Sequence, residues 1–233
     1  MQQTTKQTNR QTNREAVPAA PLWRPEFEHD NCGIGFVAHT LGEKSHSIVT
    51  DALEALNRMN HRGGTGADPD TGDGAGILTQ IPDAFFRKNT GFALPAEGKY
   101  AVAQVFLSRN PEKRDSQEKL ISGVIRENGH KLLGTRAVPV NLYACGDGSR
   151  ISAPWVSQFF IEYISGNDDE PSVNRTLYVL RRLIEKAAEK EGSDIYIASL
   201  SHKTIVYKGM LHAWQLADFY PDLSDRDYRS ALA

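Results

Sequence analysis

Cysteine is scarce in this chain of 233 residues, and its two cysteines, Cys32 and Cys145, exclude several classes of protein. Two thiols cannot build the disulfide framework of a small secreted domain or a zinc site with four thiolates. We therefore expect a cytoplasmic, thiol-reducing location, where each cysteine is either a buried apolar side chain or a reactive thiol. The surrounding sequence has to decide between these two roles.

Long apolar runs and an excess of either charge are also missing. No uninterrupted apolar stretch approaches the ~20 residues of a membrane-spanning helix, and residues 1–17 lack the apolar core of a signal peptide. The chain carries 27 basic and 29 acidic residues, a net charge of −2, whereas binding to phosphates needs a surplus of Lys and Arg. Neither a membrane nor a nucleic acid is expected as a partner.

The apolar pattern after about residue 23 indicates a domain with both helices and strands. Residues 1 to about 22 are rich in Gln, Thr, Asn and Arg and predict a disordered segment. Apolar residues at helical spacing predict helices after Ser45, from about Pro111 to Glu127 and from about Ser172 to Lys190. Strands are predicted at 32–39, 77–81, 100–107, 137–142, 159–164, 195–200 and 204–210. The last two are so close that an antiparallel hairpin is expected, which excludes a purely parallel sheet and favours a layered α+β fold.

A loop rich in Asp and Gly, residues 63–76, has two partial similarities to ligand-binding motifs. The stretch 68–79 departs from the calcium-binding EF-hand loop at three places. The glycines of 72–76 imitate a dinucleotide fingerprint, but that motif follows a strand and opens a helix, whereas here a loop precedes and a strand-like run follows. We therefore interpret the loop as a turn whose carboxylates are solvated or accept hydrogen bonds from backbone amides.

Cys32 opens the first predicted strand, directly after a leader that ends in Glu28-His-Asp-Asn31. A buried structural cysteine explains the residue but not the leader. If the leader is removed, Cys32 becomes the mature N-terminus. Its free α-amine, with an ordinary pKa of about 7.7–8.0, is then able to accept the thiol proton near neutral pH. Base and nucleophile would belong to one residue.

Two short motifs and the stretch that joins them resemble a known family. Cys32-Gly-Ile-Gly-Phe36, followed after a helical run by Asn60-His-Arg-Gly-Gly64, resembles class II glutamine amidotransferases. The similarity to the glutaminase domains of glutamate synthases is carried by three stretches, at 60–77, 133–140 and 195–211. The resemblance covers the chain from about Trp23 onward. It identifies residues 1–31 as a leader or propeptide and residues 32–233 as part of an amidotransferase domain.

The resemblance implies a fold, a reaction and three site residues. The fold is the N-terminal-nucleophile fold, a four-layer αββα sandwich of antiparallel sheets, expected here to be incomplete at the C-terminus. Cys32 would attack the side-chain amide of L-glutamine, and Arg62 and Gly63 would lie beside it and help to bind the substrate. No metal and no cofactor is implied for this chain. In glutamate synthases, FMN and an iron–sulfur cluster lie in other domains, where ammonia and electrons from a donor partner convert 2-oxoglutarate to glutamate.

The family pattern continues beyond Asp225-Arg-Asp-Tyr228 into segments that this sequence does not contain. They are a strand with an arginine for the substrate carboxylate and an Asn-Gly pair for the oxyanion, since the pair at Asn128-Gly129 ends a predicted helix. We therefore expect the isolated 233 residues to be inactive and prone to aggregation. The apolar side chains expected to be exposed are Tyr228, Leu232, Ile205 and Val206.

Three interpretations of the chain follow from these residues. It is the front part of a glutamate synthase glutaminase domain, as a fragment or as one half of a split gene. Alternatively, it is a binding or regulatory module that keeps the fold without catalysis. A different class II amidotransferase is the third interpretation, and the long acidic loop after Arg62 disfavours it.

Overall fold

Six helices and six strands lie in residues 33–66, 68–167 and 169–233, the part of the chain that the computed structural model describes. The helices are α1 (His46–Arg58), α2 (Asp83–Asn89), α3 (Pro111–Glu127), α4 (Asp147–Ser152), α5 (Glu170–Lys190) and α6 (Leu216–Phe219). The strands are β1 (Ala75–Gln80), β2 (Ala101–Leu107), β3 (Lys131–Ala137), β4 (Trp155–Glu162), β5 (Tyr196–Ser201) and β6 (Thr204–Gly209). None of the described helices is both long and apolar enough to cross a membrane.

The two long helices begin at residues that cap them and lie side by side. The side chain of Asn110 accepts a hydrogen bond from the amide of Lys113, and Asp169 does the same for Ser172. Each cap satisfies an amide that has no partner inside its helix. α3 covers the predicted residues 111–127, and α5 begins two residues earlier than predicted.

A four-stranded antiparallel sheet, in the order β3-β4-β2-β5, supports these helices. One of its faces packs against α3 and α5 through a buried apolar cluster. The cluster includes Ala103, Val105, Phe159, Ile161, Ile121, Ile125, Leu180 and Ile184. Side chains alternate along a strand, so the neighbouring residues Val102 and Phe160 point into a second core on the opposite face.

β1 and β6 form a separate two-stranded antiparallel sheet. Its inward residues Ile77, Ile205 and Tyr207 belong to the second core, together with Val49 and Leu53 of α1. The hydroxyl of Tyr207 accepts a hydrogen bond of 2.9 Å from Gln158 of the four-stranded sheet, so the two sheets are in direct contact. The predicted α+β fold with antiparallel sheets is confirmed.

The predicted hairpin of the last two strands is wrong, because β5 and β6 belong to different sheets. β5 pairs with β2, and β6 pairs with β1. Side-chain hydroxyls replace the expected ladder of backbone bonds: Ser201 accepts from the amides of Lys203 and Thr204, and Ser199 accepts from Val206. The chain therefore turns tightly but crosses from one sheet to the other.

Three further expectations from the sequence are corrected. Residues 137–142 are not a strand, because the strand lies at 131–137, where its backbone pairs with β4. In 33–39, the described part of the predicted first strand, only Ala38 forms a β-bridge, with Leu232. Tyr228 and Ile205, expected to be exposed, are completely buried, whereas Leu232 is 37% exposed. Tyr228 packs in the second core, where its hydroxyl is hydrogen-bonded to that of Thr79 at 2.8 Å.

A network of buried polar side chains connects the sheets. Arg136 of β3 binds Asp222 through two hydrogen bonds of 2.7 Å. Tyr207 donates to the same carboxylate at 2.8 Å, and Gln158 accepts a hydrogen bond of 3.0 Å from Arg136. Gln158 also donates to Gln104 at 2.9 Å. Burial and the neighbouring carboxylate raise the pKa of Tyr207 far above its usual value, so its hydroxyl keeps its proton and remains a donor.

His202, in the turn between β5 and β6, is buried but incompletely hydrogen-bonded. It is 8% exposed, and its Nδ1 has no hydrogen-bond partner among the described residues. Its ring packs against Tyr163 at a centroid distance of 5.9 Å. Burial lowers its pKa from the usual 6.5, and the charge of Lys203 lowers it further, more than Glu170 raises it. The neutral ring is therefore favoured in the folded state.

This lowered pKa predicts that His202 destabilises the fold in mild acid. Above pH 6.5 the ring is neutral in both states and contributes nothing. Below pH 6.5 the unfolded chain binds the proton first, so the free energy of unfolding falls as the pH decreases. We expect His202→Gln to reduce the loss of stability between pH 7.5 and 5 in urea unfolding. The same pH dependence in this variant and in the unsubstituted protein would contradict the assignment.

Candidate active site

Cys32, the predicted nucleophile, and the leader 1–31 lie outside the described residues, and the description of this region begins at Gly33. Gly33 lies against the residues that follow α1. A Cβ atom built on Gly33 would be 3.3 Å from the sulfur of Met59 and 3.5 Å from the Cβ of Arg62. The residue directly after Cys32 therefore lies beside the predicted site residue Arg62.

Arg62 and Gly63 lie in a short turn directly after α1. The segment Asn60–Arg62 forms one turn of 3-10 helix, in which the Arg62 amide bonds to Met59 and the Gly63 amide bonds to Asn60. At Gly63 the backbone is extended. The turn changes the chain direction and presents Arg62 beside residue 33.

Asp73 holds the other side of this turn. Its amide donates to the carbonyl of Gly64 at 3.3 Å. Its carboxylate lies so close that a Cβ built on Gly64 would be 3.1 Å from Oδ2. Farther along, the amide of Gly66 donates a hydrogen bond of 2.8 Å to the carbonyl of Thr71. The acidic loop therefore folds back on itself. These local contacts explain the positions of Asp and Gly in the loop sequence.

The carboxylate of Asp68, at the tip of the loop, binds backbone and hydroxyl groups. It accepts hydrogen bonds from the amide of Asp70 at 3.1 Å, the hydroxyl of Thr71 at 2.8 Å and the amide of Gly148 at 3.3 Å. These bonds lower the pKa of Asp68, and the bond from the amide of Asp70 has the largest effect. The predicted interpretation, a turn whose carboxylates accept from backbone amides, is confirmed for Asp68. Within the described ranges, no cluster of three His, Cys, Asp or Glu side chains is able to hold a metal ion.

Residues that the sequence analysis missed fix the loop to the rest of the domain. His212 Nε2 lies 2.9 Å from the carbonyl of Pro69. The carbonyl of Asp70 accepts from the side chain of Gln215 at 2.8 Å and from the amide of Gly146 at 3.0 Å. These contacts join segments more than 70 residues apart in the sequence, so no local pattern indicates them.

Gly72 packs tightly against the backbone of Leu211 and His212. We predict that Gly72→Ala displaces the loop. A Cβ at this position would lie 2.3–2.4 Å from backbone atoms of Leu211 and His212, which are unable to move aside independently. We expect a loss of about 1–3 kcal/mol in the free energy of unfolding, as is usual for overpacking. Urea unfolding tests this, with Gly91→Ala as control because a Cβ there meets nothing within 4 Å. Equal stability of the two variants would contradict the predicted clash.

The second thiol, Cys145, is in a structural position. It is 7% exposed and belongs to the second core, and its sulfur lies 3.4 Å from the carbonyl of Leu142. Burial raises its pKa, so less of the thiolate form is present at neutral pH. These properties are those of a buried apolar cysteine.

We predict that Cys145→Ser leaves glutamine hydrolysis largely unchanged in the native polypeptide that carries this sequence. Serine fits the space but places a hydroxyl in an apolar core, so a moderate loss of stability is expected without a loss of the nucleophile. The measurement is glutamate release from glutamine, compared with thermal unfolding of the same preparation. Loss of activity in a fully folded variant would show that Cys145 is the reactive thiol.

The chain matches a known family along its whole described length. The family described as "Glutamine amidotransferases class-II" matches residues 32–233. The "Glutamate synthase [NADPH] large chain" of Bacillus subtilis is 49% identical over 216 residues, and that of Azospirillum brasilense is 40% identical over 223 residues. "Ferredoxin-dependent glutamate synthase 2, chloroplastic" of Arabidopsis thaliana is 39% identical over 211 residues.

These matches cover most of this chain but a small part of each relative. The covered shares of this chain are 92%, 94% and 88% in the same order, and the covered shares of the relatives are 14%, 15% and 13%. The motifs at Cys32 and at 60–77 that suggested the family in the sequence lie inside the matched region. The chain therefore belongs to the class II glutamine amidotransferases, and these three relatives are named as glutamate synthases.

Proposed function

We propose that residues 32–233 belong to a glutaminase domain in which Cys32 is the nucleophile. The observation that carries the proposal is the family match, which begins at Cys32 and not within the leader. The closeness of Gly33 to Arg62 supports it, because it brings the turn after α1 next to the residue that directly follows the proposed nucleophile in the sequence.

In the proposed reaction, the thiolate of Cys32 attacks the side-chain carbonyl of L-glutamine. A carbon–sulfur bond forms, the carbon–nitrogen bond breaks, and ammonia leaves with a proton from the α-ammonium group of Cys32. Water then attacks the γ-glutamyl thioester, glutamate is released, and the thiol is regenerated. Removal of residues 1–31 is part of the proposal, because an amide nitrogen is unable to act as this base near neutral pH.

Arg62 and Gly63 are proposed to hold the mature N-terminus and the substrate through main-chain groups. Support comes from the way in which the turn is fixed, by the Asp73 carboxylate beside Gly63 and Gly64 and by backbone bonds within the turn. A loop with fixed backbone groups needs little reorganisation when charge develops on the substrate.

The ammonia is proposed to aminate 2-oxoglutarate in other domains of a longer glutamate synthase polypeptide. The names of the relatives specify NADPH for some and ferredoxin for others as the electron donor partner. FMN and an iron–sulfur cluster would be bound outside residues 32–233. The two cysteines of this chain do not fit a cluster, which needs three or four such ligands. A cytoplasmic location remains part of this proposal.

Trapping of the thioester tests the glutaminase proposal. The native polypeptide that carries this sequence is incubated with L-glutamine and hydroxylamine, which competes with water for the acyl group. We expect γ-glutamyl hydroxamate to form and to disappear when Cys32 is alkylated beforehand. Glutamate release without any hydroxamate, or release that alkylation does not affect, would contradict a thioester on Cys32.

A further inference from the structure

A cavity of about 310 Å³ lies at the opposite end of β1 from the acidic loop of residues 63–76. Four segments of the described chain line it: Lys44 before α1, residues 80–81 at the end of β1, residues within 97–100 before β2, and residues 202–203 between β5 and β6. None of these described residues belongs to the candidate active site. The volume is at the lower end of the range for small-molecule sites, so the cavity is a separate place where a small ligand fits.

His202 is the buried polar side chain of this cavity. It is 8% exposed, and its Nδ1 has no hydrogen-bond partner within the described ranges. A neutral imidazole has one donor and one acceptor nitrogen, and a buried polar atom without a hydrogen bond destabilises the fold. A ligand that bonds to the imidazole from the cavity would therefore remove a cost that the protein otherwise carries.

Two ammonium groups bring positive charge to the same cavity. Lys44 lies before α1, and Lys203 lies in the turn after β5. The carbonyl of Lys203 accepts a hydrogen bond of 2.8 Å from the amide of Ile81, which fixes the turn to the end of β1. Burial is the main cause of the lowered pKa of His202, and the charge of Lys203 adds to it, so this ammonium acts on the imidazole.

The carboxylates that pair with these lysines are replaceable. Lys44 pairs with Glu97, and Lys203 pairs with Glu170. The side chain of Glu97 is 55% exposed and that of Lys44 is 34% exposed, so the carboxylate has more contact with water than the ammonium has. Exposed ion pairs contribute little to stability. Exchange of these carboxylates for an anion in the cavity therefore costs little.

We propose that this cavity binds a small oxyanion with two negative charges, of the dicarboxylate or the phosphate class. Lys44 and Lys203 would bind its oxygens, and the imidazole of His202 would donate a hydrogen bond to it. The bound anion would connect the loop before α1 with the turn between β5 and β6. The proposal does not depend on the reaction of Cys32.

The charges around the cavity favour an anion over a cation. Two ammonium groups and one carboxylate are found among the described residues that line it. A cation would meet two like charges, and only Glu97 would attract it. A dianion would meet an opposite charge on each of two segments, together with a donor from the buried ring.

Protection of the two lysines from acetylation tests the proposal in the native polypeptide that carries this sequence. The protein is treated briefly with an acetylating ester in increasing concentrations of inorganic phosphate or of succinate, and sodium chloride keeps the ionic strength constant. Acetylated peptides are quantified by mass spectrometry. We expect saturable protection of both Lys44 and Lys203. The stronger of the two probes identifies the phosphate or the dicarboxylate class.

Lys131 is the internal control, because it lies on β3 and pairs with Glu162 outside this cavity. Its acetylation should not change with either probe. Equal protection of Lys131 would mean that the anion acts by general charge screening and would overturn the proposal.

Two variants test the named contacts. His202→Phe keeps a ring beside Tyr163 and removes both nitrogens. We expect the anion concentration for half-protection of Lys203 to rise by about tenfold, as for the loss of one hydrogen bond to a charged group. Lys44→Met should have a similar effect at Lys203 and leaves the buried ring unchanged, so the test does not rest on the folding of the His202 variant.

Lys88→Met is the matched control variant, because Lys88 pairs with Asp227 and does not line the cavity. It should leave the half-protection of Lys203 unchanged. Two results would overturn the proposal: no saturable protection of Lys44 and Lys203 by either probe, or the same half-protection of Lys203 in Lys44→Met as in Lys88→Met.

Discussion

Cys32→Ala is expected to reduce glutamine-dependent ammonia release by at least about 10³-fold in the native polypeptide that carries this sequence, as loss of a covalent nucleophile does in other hydrolases. Without the thiol no γ-glutamyl thioester forms, and the remaining groups are able only to position water. The measurement is glutamate and ammonia formed from L-glutamine at saturating substrate. Cys145→Ser is the matched control, because it removes the other thiol of the chain.

Binding of glutamine separates loss of chemistry from loss of fold. Cys32→Ala should unfold at the same temperature as the unsubstituted protein and should still bind glutamine in calorimetry. Its intact mass has to be recorded as well, since removal of the leader is expected to depend on the residue at the cleavage site. Normal turnover in a folded Cys32→Ala variant would exclude the proposed nucleophile.

Arg136→Met is expected to cost about 3–5 kcal/mol in the free energy of unfolding, because it leaves a buried carboxylate without its cation. Asp222 is 4% exposed and makes two hydrogen bonds to the guanidinium of Arg136. Methionine offers no positive charge in its place. Tyr207 would remain as a neutral donor to the same carboxylate. Urea unfolding of the native polypeptide that carries this sequence measures the difference.

A surface ion pair on the same strand provides the control. Lys131 and Glu162 lie 3.0 Å apart, and their side chains are 70% and 42% exposed. We expect Lys131→Met to cost about 0–1 kcal/mol, as exposed pairs do. The double variant Arg136→Met with Asp222→Leu should be more stable than Arg136→Met alone, because no unpaired charge stays buried. Similar losses for Arg136→Met and Lys131→Met would contradict the importance of burial.

The sequence predicted those elements whose evidence is local. α3 and α5 were predicted from apolar residues at helical spacing, a pattern that repeats within a few residues. The strand predicted at 137–142 lies at 131–137 instead, because pairing with β4 decides its position and the pairing partner is distant in the chain. The separation of β5 and β6 into two sheets has the same origin, since β1 and β2 select their partners.

The candidate site also contains residues that a sequence motif indicated and residues that only the structure shows. Cys32, Arg62 and Gly63 were indicated by a family motif, and the structure brings Gly33 and Arg62 together. His212 and Gln215, which fix the acidic loop, carry no local signal because their partners are backbone carbonyls about 145 residues away. The buried pair of Arg136 and Asp222, 86 residues apart, is likewise visible only in three dimensions.

The mass of the active protein shows whether residues 1–31 have been removed, and the proposed base exists only when Cys32 is the first residue. The native polypeptide that carries this sequence is purified by its glutaminase activity, and its intact mass and N-terminal peptide are determined. We expect active molecules to lack residues 1–31 and to begin at Cys32. Full activity in molecules that retain an intact peptide bond between Asn31 and Cys32 would contradict it.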